Sequence, residues 1–173
     1  MKVINLFAGP GAGKSTTAAG LFHLMKVAQM NVELVTEYAK EMTWEKRNNI
    51  LTDQLYILAK QHRRVKRLEN EVEYVVTDSP FLLSIFYRRQ DYSETLDKLV
   101  LELWQRYDNL NFFLDRAKNY VTVGRSQTEE EARKIDAGMR EILAWLKVPF
   151  ETVVADADAA ARIFARVKQQ AGK

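Results

Sequence analysis

The chain has 173 residues, of which 47% are hydrophobic and 28% charged, and its formal net charge is +3. It contains no cysteine, which excludes disulfides, thiolate metal sites and cysteine nucleophiles. No apolar run reaches the ~20 residues of a membrane-spanning helix, and a strand-like segment begins at Lys2, so we expect a cytoplasmic protein without a signal peptide or membrane partner. A chain of this length without a linker-like stretch predicts a single domain over residues 1–173.

Residues 2–17 have the pattern of a strand, a glycine-rich loop and the start of a helix. This order is the context of a phosphate-binding loop, where glycines let backbone N–H groups approach phosphate oxygens. The positive end of the following helix then faces the anion. Ala8 stands where the strict motif has a glycine, and alanine is a small substitute there. The predicted nucleotide-binding residues of the loop are Gly9, Gly11, Ala12, Gly13, Lys14, Ser15 and Thr16.

Two side chains of this loop have predicted roles in binding a nucleotide. Lys14 would reach the β- and γ-phosphates, and the Ser15 hydroxyl would ligate Mg²⁺. The sequence therefore predicts binding of ATP or another nucleoside triphosphate together with Mg²⁺.

Hydrophobic periodicity predicts that strands and helices alternate through the rest of the chain. The predicted strands after the first are residues 32–36, 74–77, 111–114 and 151–155, and the predicted helices include 15–27, 37–47, 52–70 and 93–107. Leu55, Leu58, Ala59, Val65 and Leu68 form the predicted core face of the 52–70 helix. Further helices are expected to begin at Pro80, at Thr128 through a capping box, and after Asp156 or Asp158. This alternation predicts an α/β fold with a five-stranded parallel sheet and helices on both faces.

In such a sheet, ligands bind outside the carboxyl ends of the strands. Glu37 follows the second strand, Asp78 follows the third, and a polar segment with Arg116 and Arg125 follows the fourth. Two carboxylates and a basic segment are thus predicted to meet at the γ-phosphate, as phosphoryl transfer requires. The simpler alternatives are that Asp78 caps the next helix, that Glu37 is a solvated first-turn acid, and that Arg125 lies in an ordinary loop.

Two further features have alternative interpretations. The basic run over residues 61–67 is either a solvated helix face or a nucleic-acid contact. Trp44 and Tyr56 either belong to the core or stack on a base.

The segments GPGAGKSTT, TEYAKE, VVTDSP, and GRS followed by EEEARK resemble those of P-loop kinases of the nicotinamide riboside kinase type. They are also similar to small kinase-like ATPases encoded by tailed phages. The resemblance implies a nucleoside-kinase-like fold with a substrate helix pair near 37–61 and a lid at about 115–128. It implies Glu37 as the base and Asp78 as a ligand of Mg²⁺ or of the substrate hydroxyl, and Arg125 and Arg133 as lid or phosphate-clamping arginines. Ser79 departs from relatives that carry a second charged residue there, so either carboxylate could be the base.

Phages that hypermodify thymine encode similar kinases, which implies one specific acceptor, 5-hydroxymethyluracil in phage DNA, with the protein then acting in the host cytoplasm. The alternatives are a kinase for free nucleosides, nucleotides or nicotinamide riboside, a P-loop ATPase, and a nucleotide-binding regulatory module. The chain has no Asn-Lys-x-Asp signature of a GTPase, and its length and the Asp78-Ser79 pair argue against an AAA-type motor.

Overall fold

The computed structural model describes residues 1–117 and 128–171. Its strands are β1 (Lys2–Phe7), β2 (Val32–Val35), β3 (Tyr74–Thr77), β4 (Asp108–Asp115) and β5 (Glu151–Val154). All neighbouring strands pair in parallel, in the spatial order β2-β3-β1-β4-β5. The predicted five-stranded parallel sheet is therefore confirmed, and β1 lies at its centre.

Eight helices occur in the part of the chain that the structure describes. They are α1 (Lys14–Val27), α2 (Tyr38–Trp44), α3 (Asn48–Leu51), α4 (Gln54–Lys66), α5 (Leu83–Tyr87), α6 (Glu94–Gln105), α7 (Glu129–Trp145) and α8 (Ala159–Ala171). No helix within these ranges is long and apolar enough to cross a membrane.

Alternation along β1 divides the core between the two faces of the sheet. Val3 and Phe7 pack into a cluster with residues of α4, α5, α6 and α7. Ile4 and Leu6 pack into a second cluster with residues of α1 and α8. Both faces of the sheet are thus covered by helices, which explains why the strands are short apolar runs rather than half-polar ones.

A buried asparagine interrupts this apolar pattern in the central strand. The side-chain amide of Asn5 donates to the side-chain oxygens of Asn109 and Asn111 on β4, at 2.9 and 3.0 Å. Asn111 is the residue directly opposite Asn5 in the pairing, and its own amide donates to the carbonyl of Pro149 at 3.0 Å. The buried amides are therefore satisfied by one another and by the backbone, as polar groups in a core must be.

The predicted core face of α4 is partly wrong. Leu58 and Val65 are buried, but Leu55 is 50% exposed and Ala59 is also exposed. The helix instead buries Gln54, Ile57 and Gln61 on its inner face. A pattern that assigns polar residues to the surface fails here because the inward-facing glutamines form hydrogen bonds within the protein.

Two predicted helix starts also differ from the structure, and a third is confirmed. α4 is capped by the Asp53 carboxylate, which accepts the Tyr56 N–H at 2.9 Å, so it starts at Gln54 rather than at position 52. Pro80 begins a turn in which its carbonyl accepts the Leu83 N–H at 3.0 Å, so α5 starts three residues later than predicted. At Thr128 the predicted capping box with Glu131 is present.

Candidate active site

The loop between β1 and α1 has the backbone conformation that its glycines permit. Gly11 and Gly13 have φ values of 78° and 104°, in the left-handed region that residues with a Cβ rarely adopt. Gly13 is the N-cap of α1, and no side chain caps this helix end. The N–H groups of the first turn are therefore left to an anionic ligand.

Gly9 is required for a different reason, which is close packing. A Cβ built on Gly9 would lie 2.9 Å from the carbonyl oxygen of Ala132 and 2.9 Å from Oδ1 of Asp136. The Gly9 N–H donates to this same Asp136 oxygen at 2.5 Å. The loop is thus seated directly on α7, and a side chain at position 9 would push the two apart.

Lys14 lies inside the loop and faces its backbone. Its Nζ donates to the carbonyls of Ala8 and Gly9, at 2.7 and 3.0 Å. Burial lowers the pKa of Lys14, while the negative charges of Glu37 and Asp78 raise it in part. Lys14 and Glu37 also line the same cavity, at the edge of the sheet where the parallel strands end.

Glu37 sits at the N-cap of α2, just after β2, without acting as a side-chain cap. It is partly buried and lines the large cavity beside the phosphate-binding loop. Burial raises the pKa of this carboxyl, the Lys14 ammonium opposes the shift, and Asp78 adds to it. This environment differs from that of the solvated first-turn acid considered as an alternative, and it suits a group that accepts a proton.

Asp78 follows β3, the strand next to β1, and is only 2% exposed. Its Oδ1 is buried and has no hydrogen-bond partner within residues 1–117 and 128–171. The alternative of a helix cap does not apply, because the N-cap of α5 is Leu82 and no side chain caps it. A buried carboxylate oxygen without a partner is costly, which is understandable where a cation completes the site.

The donors at this point suit a magnesium ion shared with a nucleotide. Mg²⁺ takes oxygen ligands and is commonly held by one or two carboxylates together with substrate phosphates and water. Asp78 and the Ser15 hydroxyl are the residues that would supply two such oxygens. The described residues contain no cluster of three acidic, histidine or cysteine side chains that would hold a metal by themselves.

A cavity of about 370 Å³ extends from the phosphate-binding loop along α2, α3, α4 and α5. Its volume falls in the range of small-molecule sites, roughly 300–1,000 Å³. The residues outside the loop that line it include Lys40, Trp44, Gln54, Gln61, Phe81 and Tyr87. Lys40, whose Nζ lies 3.5 Å from the Ser15 hydroxyl, is not among the predicted site residues, because a lone lysine on a helix gives no distinctive signal.

The structure describes two of the three predicted arginines, Arg116 and Arg133. Arg125 lies outside the described residues, as does most of the predicted lid, 118–127. Arg133 lies on α7 in an exposed ion pair with Glu129, one turn earlier on the same helix. The Arg116 side chain is only 7% exposed, pairs with Asp136 at 2.5 Å, and donates to the carbonyl of Pro10 in the phosphate-binding loop at 2.7 Å.

The aromatic and basic residues considered for base stacking or nucleic acid also separate into two groups. Trp44 is 61% exposed at the cavity, so it does not belong to the core. The Tyr38 hydroxyl donates to the Tyr56 hydroxyl at 3.2 Å. In the basic run, Arg64 binds the Glu41 carboxylate, whereas Arg63, Lys66 and Arg67 are exposed.

Comparison with known proteins identifies the fold and its family. The family described as "AAA domain" matches residues 3–162. Deoxyadenosine kinase from M. mycoides with bound dATP has a similar structure, with a TM-score of 0.58, 18% identity and full coverage of both chains. The same enzyme with the products dCMP and a flexible dCDP gives a TM-score of 0.51 and 17% identity over 99% of each chain. No curated protein sequence matches the chain.

Proposed function

We propose that this chain, which belongs to the AAA domain family, is an ATP-dependent kinase acting on a hydroxyl of a nucleoside-type acceptor. The observation that carries the proposal is the cavity beside the phosphate-binding loop, with Glu37 and Lys14 both on its wall. An ATPase needs room only for a water molecule next to the γ-phosphate. A kinase needs a second pocket there, with a proton acceptor facing it.

The residues divide the reaction between them. The loop N–H groups and Lys14 hold the β- and γ-phosphates, and a Mg²⁺ ion, held by Ser15 and Asp78, would neutralise phosphate charge. Glu37 accepts the proton of the acceptor hydroxyl. The acceptor oxygen bonds to the γ-phosphorus as the bond to the bridging oxygen breaks, which leaves ADP and a phosphorylated acceptor.

The first candidate acceptor is a free nucleoside or nucleotide. The volume of about 370 Å³ suits a ligand of this size. The structures of the M. mycoides enzyme hold dATP, or dCMP with dCDP, which supports a related acceptor for this fold. Of the basic run on α4, Arg64 is engaged by Glu41, which removes one of the cations that a DNA contact would use.

DNA containing 5-hydroxymethyluracil is the second candidate acceptor. It is favoured by the exposed Trp44 at the cavity, on which an extruded base could stack, and by the exposed Arg63, Lys66 and Arg67. The two candidates differ in electrostatics, because a polymer contacts several phosphates at once.

The experiment that tests both is transfer of labelled γ-phosphate to a panel of acceptors at several salt concentrations. The panel contains free deoxynucleosides, their monophosphates, nicotinamide riboside, plain DNA and hydroxymethyluracil DNA. We expect transfer to a free acceptor with a shallow salt dependence. Transfer only to DNA, falling steeply with salt because counterions are released, would establish the second candidate. Release of inorganic phosphate without a labelled acceptor would instead indicate an ATPase, and ATP binding alone a regulatory module.

A further inference from the structure

The buried side chain of Gln61, on α4, binds the backbone on both sides of Glu37. Its Nε2 donates to the carbonyl of Thr36 at 3.3 Å, and its Oε1 accepts the N–H of Tyr38 at 3.2 Å. Gln61 is only 3% exposed. One amide thus fixes the residue before Glu37 and the residue after it.

The contact to Tyr38 replaces a cap that α2 otherwise lacks. Glu37 is the N-cap residue, but its carboxylate does not bind the N–H groups of the first turn. Gln61 supplies an acceptor for the first of them from another helix. The Glu37 carboxylate therefore remains directed to the cavity instead of being consumed as a cap.

Arg64, one turn further along α4, reinforces the same segment. Its Nη1 donates to the Thr36 carbonyl at 3.0 Å, and its Nη2 lies 2.7 and 2.6 Å from the two Glu41 oxygens on α2. Its guanidinium also lies over the Tyr38 ring, 5.1 Å from the centroid. The Thr36 carbonyl thus accepts two hydrogen bonds from α4, and α2 is held at both its start and its first turn.

Stability alone does not account for an amide at position 61. Its neighbours on the inner face of α4 include the apolar Ile57, Leu58 and Val65, and an apolar side chain of similar volume would fill the same space. A buried amide costs desolvation, and here its hydrogen bonds go to the two peptide groups flanking a single carboxylate.

We propose that Gln61, supported by Arg64, is a positioning residue that fixes the Glu37 carboxylate in line with the acceptor hydroxyl. This inference rests on the proposed role of Glu37 as proton acceptor. Phosphoryl transfer depends on placement of the reacting groups, and a displacement of ~1 Å can cost about 100-fold in rate. Gln61 also lines the acceptor cavity, so the same helix that contacts the acceptor fixes the base.

The test compares Gln61→Met, which keeps the volume but removes both hydrogen bonds, with Val65→Ala on the next turn of the same buried face. We expect Gln61→Met to lower kcat about tenfold or more, with little change in KM for ATP, and to increase hydrogen exchange at the Tyr38 amide. Val65→Ala should destabilise the protein while leaving kcat and the Tyr38 amide close to wild type. If Gln61→Met does not fold, Arg64→Met, at a partly exposed side chain, is tested by the same measurements of kcat and of hydrogen exchange at the Tyr38 amide.

A double-mutant cycle with Glu37→Gln separates positioning from general damage. If Gln61 acts through Glu37, the loss caused by Gln61→Met should disappear in the Glu37→Gln background. An undiminished loss in that background, or wild-type kcat in both Gln61→Met and Arg64→Met, overturns the inference while the kinase assignment stands. Full activity of Glu37→Gln alone overturns the proposed role of Glu37, and the positioning role with it.

Discussion

The Asp136 carboxylate on α7 accepts the backbone N–H of Gly9 in the phosphate-binding loop, at 2.5 Å. Its other oxygen pairs with Nε of Arg116, whose Nη1 binds the carbonyl of Pro10. One largely buried ion pair, between Arg116 just after β4 and Asp136 on α7, therefore supports the loop.

Removing Asp136 should destabilise the protein strongly. Asp136→Ala removes the carboxylate that pairs with Arg116 and accepts the Gly9 N–H, and breaking a largely buried ion pair costs about 3 kcal/mol of the free energy of unfolding. Urea denaturation would measure it. The control is Glu129→Ala, which breaks the exposed Glu129–Arg133 pair on the same helix and should cost about 0.5 kcal/mol or less. Equal losses for the two variants would contradict the supporting role of Asp136.

Lys14→Ala should keep the fold and remove most phosphoryl transfer. The substitution takes away the cation that would bind the β- and γ-phosphates, whereas the sheet and α1 are unaffected. Turnover at saturating ATP and Mg²⁺ is the measurement, with Lys26→Ala, an exposed lysine near the end of α1, as the control. Wild-type turnover in Lys14→Ala would rule out the phosphate-binding role of the loop lysine.

Glu37→Gln should preserve ATP affinity and lower turnover by about 10²–10⁴-fold, the usual contribution of a general base. In the wild type, activity should fall as the pH drops through a pKa above the ~4.3 of an ordinary glutamate, because burial raises this pKa. A pH–rate profile of both proteins tests the assignment. Retention of the same acid limb in Glu37→Gln would mean that another group is titrating.

The same pKa shift predicts an effect on stability. The folded state holds the Glu37 proton more tightly than the unfolded chain does, so its contribution to stability is complete at low pH and is lost as the pH rises through the folded pKa. Glu37→Gln should therefore be more stable than wild type at pH 8, and the difference should shrink toward pH 4. Denaturation at several pH values measures this difference in the free energy of unfolding. A difference that stays constant with pH would contradict the raised pKa of Glu37.

Asp78→Asn should raise the Mg²⁺ concentration needed for half-maximal activity as well as lower the rate. The buried Oδ1 offers a charged oxygen to a cation, and an amide is a weaker ligand. Asp97→Asn is the matched control, since Asp97 is also buried but pairs with Arg88 between α5 and α6. If both variants kept the wild-type Mg²⁺ dependence, Asp78 would have no role in metal binding.

The parts of the site that sequence could identify are those encoded by local spacing. The loop from Gly9 to Ser15 carries its own strand, turn and helix signals, and Glu37 and Asp78 follow from the rule that ligands bind at the carboxyl ends of parallel strands. Each of these predictions needs only neighbouring residues and the order of the elements.

The parts that sequence missed depend on contacts between distant segments. The sequence pattern places Gln61 in a basic helix run, although its amide binds the segment around Glu37, more than 20 positions earlier. The positions of Lys40 and Asp136 beside the phosphate-binding loop likewise follow only from the fold, which brings Lys40 to Ser15 and Asp136 to Gly9. The predicted core face of α4 is partly wrong for the same reason. Long-range hydrogen bonds allow glutamines to face inward, which the apolar pattern does not indicate.

The asparagines between the central strands determine which alignment of β1 and β4 the chain can adopt. A shift by one residue would exchange the faces of every β1 side chain and leave the Asn5 amide buried without its acceptors on Asn109 and Asn111. It would also move the end of β1 by about 3.3 Å along β4, which carries Arg116 just beyond its last residue. Apolar contacts alone discriminate weakly between neighbouring registers. The cost of a buried, unsatisfied amide in each wrong register discriminates strongly against it. Selection among strand registers during folding thus also sets the position of the phosphate-binding loop relative to Arg116, the arginine that supports it.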